Sequence, residues 1–236
     1  MRREDRDGIL AYGSYGRPLL VFPAQQGNRF EWEDRGMIHV IAPLIRDGRL
    51  KVYCVDSWDS ETWHQGGLPL EERAQRHGAY EQWLVEHVAP WIHADCAGAQ
   101  RIGVTGVSMG AYHAANLTLR RADLFPFALC LSGIYDVSQV GWGERGDAVY
   151  FNNPMDYVSH LHGDHLEWLR ANASLVLVVG RGSWEDSTGA LESTHQLAAR
   201  LSEKRIPHEL DVWGEDSPHD WPAWQRQIAH HLPRYA

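Results

Sequence analysis

The stretch Arg-Ile-Gly-Val-Thr-Gly-Val-Ser-Met-Gly at residues 101–110 constrains this chain more than any other. An apolar run ends in Gly-x-Ser-x-Gly and is followed by the small, helix-compatible Ala111, Ala114 and Ala115. That order predicts a strand turning sharply into a helix with Ser108 at the turn. The glycines answer a steric demand, because a Cβ at either flanking position would meet neighbouring backbone in so tight a turn. The turn lifts the Ser108 hydroxyl above a sheet and sets the Met109 amide at a helix N-terminus, where an anion is favoured.

The rest of the chain fits that expectation. Apolar runs at residues 19–22, 50–55, 102–107, 127–131, 175–179 and 210–213 alternate with helix-like segments, and residues 9–12 add an antiparallel edge. Such alternation predicts an α/β fold, a mostly parallel sheet with helices on both faces. Residues 37–45 carry apolar side chains at helical spacing and stop at Gly48, and Tyr80, Leu84, Val88 and Ile92 form one stripe that Pro90 interrupts. No linker or repeat divides the sequence, and 236 residues suit a single domain over 1–236. Two segments escape the rhythm, 57–68 and 133–160, and are expected to be irregular loops over a site.

Composition excludes several classes. The net charge of −9 would repel phosphates, so neither nucleic acid nor an anionic membrane surface is an expected partner. No apolar run approaches the roughly 20 residues of a membrane span, and Met1 to Asp7 lead into no signal-length apolar segment. The three cysteines, Cys54, Cys96 and Cys130, are an odd set, two of them in apolar runs, which fits reduced thiols and a cytoplasmic setting.

A serine hydroxyl is a weak nucleophile until a histidine takes its proton, and that histidine needs an acid to hold its tautomer. With a serine on such a turn the chain order is Ser, acid, His, the last two following late strands. His219 satisfies this, since it follows the last strand-like run and precedes the final helix. His113, five residues into the nucleophile helix, is read as packing. For the acid, residues 175–179 run into Gly-Arg-Gly-Ser-Trp-Glu-Asp, and Asp186 is preferred over Glu185, with Asp136 also satisfying the order. A second oxyanion donor beside Met109 should come from the loop after residues 19–22, as the amide of Gln25 or Gln26. Trp58, Trp63, Trp142, Trp184 and Trp221 fall in four loops at the expected carboxyl end of the sheet, where ligands bind in such folds, and are expected to line a pocket. Indole faces there favour neutral aryl or short-to-medium acyl groups, and the surrounding Glu185, Asp136, Asp216 and Asp220 disfavour anionic ones.

Taken together, Leu20-Val21-Phe22-Pro23, Gly106-Val107-Ser108-Met109-Gly110, Leu131-Ser132-Gly133, Glu185-Asp186 and His219-Asp220-Trp221 span nearly the whole chain, and in this order they resemble the putative-esterase family of α/β-hydrolases. That group includes esterase D, feruloyl esterases and mycolyltransferases. The resemblance implies the α/β-hydrolase fold and a serine esterase working through an acyl-enzyme, with Ser108 as nucleophile, Asp186 as acid, His219 as base, a small-molecule ester as substrate and no cofactor. The sequence departs from it at residues 22–26, where Phe-Pro-Ala-Gln-Gln replaces the His-Gly of many relatives. Acyl transfer to an alcohol or amine on the same triad is the near alternative. A ligand-binding pseudoenzyme is the distant one, and its signature, a lost triad member, is missing. His160, His162, Asp164 and His165 crowd one short segment but lack a metal-binding helix pattern, so no metal is expected.

Overall fold

The computed structural model describes residues 2–4, 8–98 and 101–236. Among the described residues eight strands form one sheet: β1 (Arg2–Glu4), β2 (Leu10–Tyr12), β3 (Arg17–Phe22), β4 (Leu50–Cys54), β5 (Gly103–Val107), β6 (Phe127–Leu131), β7 (Ser174–Val179) and β8 (His208–Val212). Their spatial order is β1-β2-β4-β3-β5-β6-β7-β8. β1 and β2 pair antiparallel, β2 with β4 likewise, and every other pair is parallel. The antiparallel strand expected at residues 9–12 is therefore present but is not the edge, because β1 pairs outside it. β1 has too little apolar character to show as a strand, and its existence rests on the ladder β2 offers.

The helices are α1 (Glu31–Asp34), α2 (Met37–Arg46), α3 (Leu70–Trp83), α4 (Ala89–Asp95), α5 (Met109–Arg120), α6 (Asp147–Asn152), α7 (Pro154–His160), α8 (Gly163–Asn172), α9 (Ala190–Glu203) and α10 (Trp221–His231). Strand residues alternate between two apolar layers. Leu20, Phe22, Val104, Ala128, Leu175 and Leu177 face the layer that holds α3, α5 and α9, whereas Leu19, Val21, Val107, Leu129, Val176 and Val178 face α2 and α10. Both faces of the central strands are thus dry, which is why they read as unbroken apolar runs. β8, at the edge, instead carries His208, Glu209 and Asp211, polar groups that discourage pairing with another chain. Among the described residues no helix is long and apolar enough to cross a membrane.

Between α3 and α4, residues Leu84–Val88 form a π-helical turn. It sits one turn before Pro90, whose ring clashes with the carbonyl four residues back and which donates no N–H.

The expectation of an irregular segment over 133–160 needs correcting, since it folds into a short 3₁₀ turn (Val137–Gln139), α6 and α7. These helices are too short for a readable apolar period, and tertiary contacts start them. The Glu71 carboxylate of α3 accepts the amides of Gly146, Ala148 and Val149 at the head of α6, and the Asn153 side chain caps α7. Segment 57–68 does lack regular structure, but it is held down. The buried Arg73 guanidinium donates to the carbonyls of Trp63, Gly66, Leu68 and Val140, joining both segments to α3.

Candidate active site

Ser108 lies between β5 and α5 with φ 54° and ψ −119°. That backbone is costly for an L-residue. Its neighbours enforce it: a Cβ on Gly106 would overlap the Gly110 backbone, and a Cβ on Gly110 would overlap the Phe22 and Pro23 carbonyls at the end of β3. The Ser108 amide is tied to the Leu131 carbonyl at 2.8 Å, so the turn is continuous with β6.

Above it stands His219, in the loop between β8 and α10. Its Nε2 is 3.1 Å from Ser108 Oγ, and its Nδ1 is 3.0 Å from Glu185 Oε2. The His219 amide donates to the Ser183 carbonyl at 3.0 Å, binding the histidine loop to the acid loop. The Trp224 indole meets the imidazole edge-on, 4.9 Å between centroids, and fixes the ring plane. Gly180 and Gly182 allow this close approach, because a Cβ on either would strike the backbone around Ser217.

The carboxylate on His219 is Glu185 and not the preferred Asp186. Glu185 is fully buried, while Asp186 is exposed. Glu185 Oε1 accepts the Ser132 hydroxyl at 2.6 Å and the Gly180 amide at 3.2 Å, leaving Oε2 for the histidine. Ser132 in turn accepts the Trp224 indole N–H at 3.0 Å. The reversal by one residue has a visible cause. Trp184 takes φ 69°, a left-handed conformation that turns the chain so that residue 185 points inward and 186 outward. Asp136 is occupied elsewhere, capping its 3₁₀ turn and accepting from Ser138 and Asn153. Asp220 caps α10 through the Ala223 amide.

The loop after β3 separates the two oxyanion candidates. The Ala24 amide donates to Glu31, the Gly27 amide to the Ala24 carbonyl, and the Gln26 amide to Asp59 Oδ2 at 3.1 Å. The Gln26 amide is thus engaged by Asp59, while Met109 opens α5 directly after Ser108.

The five tryptophans expected to line a pocket sit in different settings. Trp63 is fully buried against His77 and Tyr112 and belongs to the core, whereas Trp58 is half-buried and stacks on Trp83 at 5.5 Å. Trp142 and Trp184 are 58% and 62% exposed, and half-buried Trp221 packs on Trp224. Of the five, Trp63 alone is fully buried. Gly180 and Trp224 carry no signal in the sequence that marks them as site residues, and the Leu131-Ser132-Gly133 run does not by itself point Ser132 at the acid, since only the fold brings the three to Glu185 and His219. A cavity of 570 Å³ opens elsewhere, at the amino ends of the parallel strands beside Arg17, Gly103 and Phe127, away from the carboxyl-end turn that bears Ser108. Asp211, His230 and His231 cluster among the described residues. There His231 Nε2 lies 2.8 Å from Asp211, whose same oxygen accepts the Trp213 indole, and the Arg234 guanidinium stands at His231 Nδ1.

The family model described as "Putative esterase" matches residues 23–235. The chain belongs to this esterase family. Its enzyme class is that of a carboxylic ester hydrolase. No curated protein matches the sequence significantly. Solved structures share the fold at low identity. A ferulic acid esterase is 16% identical with a TM-score of 0.71, covering 99% of this chain and 95% of its own. A fluorophosphonate-binding serine hydrolase of Staphylococcus aureus, solved with substrate, is 13% identical with a TM-score of 0.67, covering 99% and 96%. An S-formylglutathione hydrolase of Agrobacterium tumefaciens is 12% identical with a TM-score of 0.66, covering 100% and 92%.

Proposed function

We propose that this esterase works through an acyl-enzyme on a Ser108–His219–Glu185 triad. The observation that carries the reading is the unbroken relay from Ser108 Oγ through both nitrogens of His219 to a fully buried carboxylate, built at a strained strand-to-helix turn.

Glu185 holds the Nδ1–H tautomer, so the Nε2 lone pair faces Ser108. As Ser108 Oγ bonds to the ester carbonyl carbon, its proton passes to His219 Nε2 and the carbonyl oxygen becomes an oxyanion. The Met109 and Gln25 amides hold that charge, with the α5 dipole behind Met109. Collapse breaks the bond to the alcohol, which leaves with the proton from Nε2. Water then repeats the sequence on the acyl-serine, releasing the acid and restoring Ser108.

The substrate in this reading is a neutral ester with an aryl or short acyl portion. Trp184, adjoining Glu185, offers it an exposed indole face. Incubation with a fluorophosphonate followed by intact-mass measurement tests the nucleophile. The wild-type chain should gain one phosphonyl group, and Ser108→Ala, still folded, should gain none and lose turnover of p-nitrophenyl acetate by several powers of ten. Turnover by Ser108→Ala near the wild-type rate would overturn the reading.

A further inference from the structure

One buried acid, tied to the nucleophile helix and to the loop after β3, is not used by the mechanism above. Asp59, in the segment after β4, is fully buried, and His113 on α5 is 3% exposed. The two meet through Asp59 Oδ1 and His113 Nε2 at 2.9 Å, while Asp59 Oδ2 accepts the Gln26 amide at 3.1 Å. Burial alone would raise the Asp59 pKa, yet His113 and the Gln26 amide hold it below the ordinary carboxylate value. An ionised carboxylate only accepts hydrogen bonds, so His113 Nε2 carries a proton and donates it.

The two donors come from the two halves of the candidate oxyanion hole. His113 lies four residues along α5 from Met109, whose amide the proposed mechanism gives to the oxyanion. Gln26 adjoins Gln25, the other amide, and is held at φ 56°, a left-handed conformation unfavourable for a glutamine without an anchor. His113 also packs on Phe22, the last residue of β3, at 5.7 Å, and stacks on His77 at 5.3 Å. One carboxylate thus ties the helix that presents one donor to the loop that presents the other. Segment 57–68, expected as a cover over the site, folds around this acid: the Thr62 and His64 amides donate to the Asp59 carbonyl, and the Asp59 amide donates to Ser57 Oγ.

We infer that Asp59, with His113, is a positioning residue for ester hydrolysis, setting the spacing between the Met109 and Gln25 amides and hence the affinity for the tetrahedral oxyanion. The inference rests on the triad reading above. It concerns the transition state alone, because a ground-state carbonyl asks less of the two donors than the oxyanion does.

The test compares wild type with Asp59→Ala, Asp59→Asn and His113→Leu on p-nitrophenyl acetate, with a boronic acid as tetrahedral mimic and thermal melts to confirm folding. Asp59→Ala should lower kcat by about 10- to 100-fold, short of the roughly 10²–10³ that deleting an oxyanion donor costs. KM should stay within about twofold, and boronate affinity should fall by the same factor as kcat. Asp59→Asn, whose amide can still accept from Gln26 and turn its NH₂ to the other His113 tautomer, should recover most of the loss. His113→Leu leaves the carboxylate in place and should show the same paired fall in kcat and boronate affinity, which decides the matter if Asp59→Ala does not fold. A folded Asp59→Ala or His113→Leu with wild-type kcat overturns the inference, as does a fall in kcat with boronate affinity unchanged. Failure of the triad reading looks different: the wild-type chain itself would take no fluorophosphonate at Ser108, and both proposals would go together.

Discussion

Replacing Glu185 with glutamine is the sharpest perturbation the site offers, because the structure dictates how the new amide must turn. Glu185 Oε1 receives two donors, the Ser132 hydroxyl and the Gly180 amide. The Gly180 N–H cannot become an acceptor, and the Ser132 oxygen already accepts from Trp224. The substituted side chain would therefore keep its carbonyl on that side and present NH₂ to His219 Nδ1. An imidazole facing a donor at Nδ1 puts its own proton on Nε2, aimed at Ser108, and can no longer act as base. Loss of the correct tautomer in a serine triad costs about 10⁴ in kcat, equivalent to about 5 kcal/mol of transition-state stabilisation. Side-chain volume is unchanged, so the fold should persist by circular dichroism. Asp186→Asn, at an exposed position, should stay within about twofold of wild type, since surface substitutions away from such features have small effects. Steady-state hydrolysis of p-nitrophenyl acetate by both variants gives the comparison. The reasoning fails if Glu185→Gln retains more than about a tenth of wild-type kcat, or if Asp186→Asn is the more damaged of the two.

Gly106→Ala should destabilise by more than about 3 kcal/mol in urea melts, because the added Cβ meets the Gly110 backbone and not a side chain that could move aside. Trp184→Ala should raise KM for phenyl esters by about 2- to 10-fold with kcat unchanged, the worth of one aromatic contact; equal effects on phenyl and methyl esters would remove the indole from substrate binding. Stability should fall as pH drops from about 7.5 to about 5.5. Burial holds His64, His77 and His231 below the ordinary histidine pKa, so below about 6.5 the unfolded chain takes up protons that the folded chain refuses. His77→Leu should flatten that fall in denaturant midpoints measured across the range, and a wild-type midpoint that rises on acidification contradicts the sign.

The local signals in this chain are strong wherever a physical demand is met within a few residues. Unbroken dry strands announce a parallel sheet, the two glycines around Ser108 announce the elbow, and the place of His219 after the last strand and before the final helix announces its meeting with the serine. The choice between Glu185 and Asp186 is of another kind. Both stand in the correct loop, and what separates them is a left-handed Trp184 together with donors from Ser132 and Gly180. The same holds for Trp63, which sits in a loop by sequence but is drawn into the core by α3 and α5. It holds also for Asp59 and His113, 54 residues apart, whose pairing no spacing rule could propose. Periodicity and steric need are properties of neighbouring residues, and the sequence records them. Which carboxylate is buried, and beside which donor, depends on atoms brought together from β3, β4, α5 and the loops beyond β7 and β8, and only the folded chain decides it.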